Sequence, residues 1–249
     1  MTTGSVVTLA GVVLFVMVHV FGGRLTFQSQ TPRGVWLSAA GGVSVSYLFV
    51  HLLPALAVRQ EAFEDRATAA GAWPSALENH AYLIALLGLG LFYGVERFVR
   101  SAGRSMRSDE RGETPLPVFW LHLTVFAGYN ALIGYLLVHR EEGDVRGTAL
   151  YAVAMAVHFA VNDQSLREAH GDIYHRRGRW LLAAAAVLGY LIGISSAMAP
   201  LLIDSLFALL AGSMALNVLK EELPEGRQSR FGAFAAGAGL YTALLMANA

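Results

Sequence analysis

The stretch AMAVHFAVNDQSLREAH, residues 154–170, opens as a run of hydrocarbon side chains and then carries His158, Asn162, Asp163 and Gln164 in quick succession. His158 and Asn162 stand four residues apart, so in a helix they share one face. Asp163 lies about 100° further round. An ionisable group at the centre of a bilayer costs about 2.5–3.5 kcal/mol on insertion scales, so such side chains turn toward the interior of a helix bundle. Read this way, the stretch predicts an all-α integral membrane protein with a polar cluster between its helices. That cluster is either a transport site or an interhelical hydrogen-bond network.

The rest of the chain agrees with a membrane setting. Of 249 residues, 55% are hydrophobic and 14% charged, against about 25% charged in an average soluble domain. Mean hydropathy is +0.49. There is no cysteine, which excludes thiolate metal sites and disulfides. The formal net charge of zero gives no reason to expect a nucleic-acid partner. Met1 to Gly4 lack a basic leader, so the first apolar run is expected to be retained as a span.

Eight apolar runs can be marked, at 5–22, 35–58, 81–98, 117–138, 147–166, 179–197, 201–222 and 230–248. Most approach the ~20 residues that a helix needs to cross the hydrocarbon layer, and in lipid a helix satisfies its own backbone. The chain is therefore expected to be a single transmembrane domain over 1–249, with residues 99–116 as a flexible cytoplasmic loop. A short surface helix is expected near 59–70. Of the 18 basic residues, only Arg59, Arg66, Arg140 and Arg146 fall in the loops of one side. The others fall on the opposite side, which the positive-inside rule makes the cytoplasm. Both termini are then outside, in a plasma (inner) membrane.

GVSVSYLFVHLLP, residues 42–54, aligns without a gap on GSMALNVLKEELP, residues 212–224. Gly42 falls on Gly212, His51 on Glu221, Leu53 on Leu223 and Pro54 on Pro224. Like segments in spans of opposite direction predict an inverted repeat, a common plan of secondary transporters.

These features, with HLLP in span two and AGSMALNVLKEELPE in span seven, make the chain resemble the ZIP (Zrt/Irt-like) metal transporters. The resemblance implies a bundle of eight helices in which spans one to three and six to eight form an inverted repeat around spans four and five. It also implies a metal site halfway through the membrane, built from spans four, five and seven. The matching positions are Asn130 and Gly134 in YNALIG, His158 in HFAVND, and Glu221, while Asn162 takes the second ligand position of span five. Asp163 follows Asn162 directly. The sequence departs from the family where Tyr129, Ile133 and Phe159 stand in place of ligands, and Ala55 stands where the family has a Glu.

Zinc favours imidazole nitrogen and carboxylate oxygen. Two adjacent divalent ions need more carboxylate than this chain offers. The expected metal residues are His158, Asn162, Asp163, Asn130 and Glu221, suited to one ion, with His51 and His122 along the transport path. His19 is expected to be structural, Glu96 an interface charge, and Glu168, His170, Asp172 and His175 an inner-loop cluster. No paired motif of an intramembrane hydrolase is present, so no enzyme is expected. The chain is thus expected to be a zinc-type cation transporter with a degenerate site and the lipid bilayer as its surroundings, and to form a homodimer. The alternative is a non-transporting protein of the same fold with a sensing, assembly or other-solute role.

Overall fold

A computed structural model describes residues 3–25, 34–69, 80–106, 116–139, 145–196, 198–222 and 230–247. Among these the regular structure is helical throughout, with no strand. We label the helices α1 (Thr3–Leu25), α2 (Val35–Ser46), α3 (Leu53–Ala69), α4 (His80–Met106), α5 (Leu116–Leu136), α6 (Val145–Ile173), α7 (Arg179–Ser195), α8 (Pro200–Glu222) and α9 (Phe231–Met246). Two π-helical segments, Tyr47–Leu52 and Tyr174–Gly178, join α2 to α3 and α6 to α7.

Six described helical stretches are long and apolar enough to cross a membrane: Thr3–Gly23, Val35–Glu61, Ala81–Ala102, Leu116–Leu136, Val145–Ser195 and Pro200–Lys220. The apolar α9 is shorter. Large apolar side chains such as Leu86, Leu87, Val58 and Phe231 point outward, while His19, Asn130, His158, Asp163, Asp204 and Asn217 are buried. That inversion of the soluble pattern identifies an all-α membrane protein, because in lipid it is the polar groups that need the interior.

Two local irregularities have local causes. Pro54 has no N–H to give and its ring crowds the carbonyl four residues back, so the helix widens to π geometry just before it. Gly171 adopts φ 54° and breaks the 51-residue stretch 145–195 within the last turn of α6. A positive φ is open to glycine at little cost and strained for other residues.

The most extensive helix contacts join α5 with α7, α2 with α9, α4 with α8 and α1 with α6. The first three share one device. A side chain on Gly42 would collide with the carbonyl of Phe234, and one on Gly237 with the carbonyl of Ala39, three residues before Gly42. Gly212 meets the carbonyl of Ala85, three residues before Gly88, and Gly88 meets that of Leu209, three residues before Gly212. Gly134 faces the carbonyl of Ala186, and Gly189 that of Ala131, in the same relation. In membranes, where apolar surface gains nothing by leaving lipid, such close backbone approach favours helix association through van der Waals packing.

Several boundaries differ from the sequence expectation. α4 continues to Met106 rather than stopping at 98, and residues 107–115 of the expected 99–116 loop lie outside the described residues. The expected surface helix near 59–70 is the continuation of span two, since α3 runs on from the π segment to Ala69. Arg59 and Lys220, assigned to loops in the charge count, lie inside α3 and α8. Their charges are tolerated there because each meets a carboxylate, described next.

Candidate functional site

Gln164 bonds to Glu168 and Arg167 on its own helix, while His158 with Asn162, Asp163 and His170 enter three separate groups once folded. The first lies at the crossing of α5 and α6. The Tyr129 hydroxyl is 2.9 Å from His158 Nε2, and Asn162 Nδ2 is 3.0 Å from the same nitrogen. Both groups can donate, so Nε2 serves as acceptor and the ring proton sits on Nδ1. Asn217 of α8 lies beside Tyr129, as does Tyr47 of the π segment. Asn130 turns back on its own helix, donating to the carbonyl of Phe126 at 2.7 Å, while its buried side-chain oxygen has no hydrogen-bond partner among the described residues. Lys220 is close enough to act electrostatically on His158.

The second group joins α6 to α1. Both carboxylate oxygens of Asp163 are 3.0 Å from His19 Nδ1, and both side chains are fully buried. Tyr174 and Gly22 also flank this carboxylate. The i to i+5 step from His158 to Asp163 turns the carboxylate to α1, away from α5, so His158 and Asp163 take different partners.

The third group spans four helices at the end of the bundle where α4 finishes and α5 begins. Glu96 Oε1 of α4 is 2.8 Å from Lys220 Nζ of α8 and 3.1 Å from His122 Nε2 of α5. Arg100 Nε lies 3.7 Å from the other carboxylate oxygen. His122 Nδ1 is 2.8 Å from His170 Nε2 of α6. Glu96, expected at the interface, is buried, and His170, expected in an inner loop, faces inward from the last turn of α6.

A further buried pair was not foreseen. Arg59 Nη1 of α3 lies 2.6 Å from Asp204 Oδ1 of α8, with the guanidinium over the ring of Phe207. The only sequence signal was that both charges sit at the margin of otherwise apolar runs.

Of the other expected residues, His51 sits in the π segment with its ring near that of Tyr47. Glu221 lies in α8, but its side chain is outside the described residues. Among the described residues, no three His, Asp or Glu side chains are grouped so as to hold a metal ion. The first group brings a hydroxyl, an amide and an imidazole nitrogen together in apolar surroundings. In comparisons with known proteins, the chain matches no family model and no curated protein.

Proposed function

We propose that the chain is a transporter of the ZIP type, with eight spans, both termini outside a plasma membrane, and a degenerate site for a single divalent cation. The observation that carries this reading is the convergence of α5, α6 and α8 around Tyr129, His158, Asn162 and Asn217. Buried uncharged hydrogen-bonding groups halfway along apolar helices serve a solute path in such proteins.

On this reading the six long stretches become eight spans when 145–195 is divided at Gly171 and the shorter α9 is added. The inverted repeat draws support from the packing. Exchanging spans one to three with six to eight, and four with five, turns the α2–α9 pair into the α8–α4 pair and the α1–α6 pair into the α7–α5 pair. Gly42 and Gly212, matched in the sequence echo, make the same carbonyl contact in their respective pairs.

Within this reading, His158 is the principal ligand of the cation and Glu221 supplies a carboxylate. Asp163, bound to His19, holds α1 to α6. Calorimetry on purified protein with zinc, cadmium and manganese tests the proposal. One site per chain that is lost in His158→Ala supports it. Two tight sites overturn the single-ion reading.

A second reading is favoured by one observation, the ammonium of Lys220 near His158, which repels a cation. On that reading the protein is a non-transporting or other-solute member of the same fold, and calorimetry finds no metal at all.

A further inference from the structure

We propose that His122 and His170 form a one-proton site, entered at His170 Nδ1 and held by Glu96. The site neighbours the His158 group through Lys220, and the inference goes beyond the transport reading without depending on it.

The direction of each hydrogen bond follows from the distances. Glu96, bound to Lys220 at 2.8 Å and flanked by Arg100, is a carboxylate and can only accept. His122 Nε2, 3.1 Å away, therefore carries the hydrogen and donates. In the proton-free state of the proposed site His122 is a neutral imidazole with one N–H, so its Nδ1 is a bare acceptor. The contact of 2.8 Å to His170 Nε2 is then a bond donated by His170. That leaves His170 Nδ1 as a bare lone pair. This atom is buried and, among the described residues, no donor reaches it, which is consistent with a bare lone pair there.

A buried, unpartnered acceptor at the end of an imidazole chain is an entry point for a proton. The transfer balances without any other reactant. A proton bonds to His170 Nδ1, and the Nε2–H of the same ring breaks as its hydrogen passes to His122 Nδ1. His170 ends neutral, in the opposite tautomer. His122 ends as an imidazolium, paired through Nε2–H with the Glu96 carboxylate. Release runs the same steps backward. The groups facing the site are Glu96 and Arg100 from α4, His122 from α5, His170 from α6 and Lys220 from α8, so four helices meet on one proton. The arriving charge shares the carboxylate with Lys220, and it thereby weakens the hold of α4 on α8.

The test is nitrogen NMR of the full chain, labelled at histidine and reconstituted in lipid bilayers, with signals assigned from His122→Asn and His170→Asn. On acidification two changes are expected together: His122 acquires hydrogen on both nitrogens, and His170 switches its N–H from Nε2 to Nδ1. In Glu96→Gln the imidazolium signal of His122 is lost, and in Glu96→Asp it is retained. A merely structural hydrogen bond would not produce the tautomer switch. The proposal is overturned if His170 keeps its tautomer while His122 takes up a proton. It is equally overturned if neither ring changes before the protein unfolds, or if Glu96→Gln leaves the transition intact. None of these outcomes bears on metal calorimetry, so the two readings fail separately.

Discussion

Arg59 and Asp204 show what a single charge means in this interior. Both side chains are buried, and their charged atoms meet at 2.6 Å. Removing one side chain takes this contact from the other, and breaking a buried pair costs about 3–5 kcal/mol. Asp204→Ala is therefore expected to lower the thermal unfolding temperature in detergent sharply. The double change Arg59→Leu with Asp204→Leu, which removes both charges, should recover most of the loss. Equal melting of single and double variants would refute the pairing. The same reasoning sets His158→Ala apart from Tyr129→Phe. The first leaves a hydroxyl and an amide buried without their acceptor, at about 1–3 kcal/mol each, and the second removes one donor from a nitrogen that keeps another. The alanine variant should be clearly the less stable in the same melting assay. Which residues would be polar and buried could be read from the sequence: His158, Asn162 and Asp163 each break an apolar run. Their partners could not be read, because Asp163 meets His19 and Arg59 meets Asp204 across more than a hundred residues of chain, and helix periodicity says nothing about which helix lies opposite.

The helices themselves were legible because twenty apolar residues leave few other choices. Their ends were less so. Hydropathy marks where hydrocarbon-compatible sequence stops, while the helix stops where its backbone is interrupted. In α3 and α4 the residues past the apolar limit, among them Arg59, Gln60, Glu61 and Arg100, form helices readily, so both continue beyond it. Hydropathy is equally blind to the glycines that set helix pairing. In Gly212→Ala the new methyl meets the carbonyl of Ala85, which is backbone and cannot rotate away. Overpacking of this kind costs about 1–3 kcal/mol. Gly90, two residues beyond Gly88 on α4, has nothing within 4 Å, so Gly90→Ala should be neutral or slightly stabilising. Melting curves of the two variants that coincide would show that the α4–α8 approach is not tight.

At the scale of the whole molecule, the proposed topology puts residue 108 inside the cell and both termini outside. The chain lacks cysteine, so Ser108→Cys can be probed without background. An impermeant thiol reagent applied to whole cells is expected to leave it unmodified, and modification from outside would invert or refute the topology. The class of protein was legible from composition, and the gathering of polar groups was legible from one helix. The chemistry of the gathering was not, since Lys220 reads as a loop charge until α8 places it beside Glu96.

The pairing of α2 with α9 has a consequence for how the protein is made. The face of α2 around Ala39 and Gly42 is closed by Phe234 and Gly237. At about 5–20 residues per second, synthesis of α9 trails that of α2 by roughly 10–40 s. Throughout that interval a groove shaped for a backbone stands open to lipid. The newborn chain must wait with its first half unclosed, so slow or aborted translation, which leaves the finished protein untouched, is the stage at which this fold is most exposed to quality-control proteases.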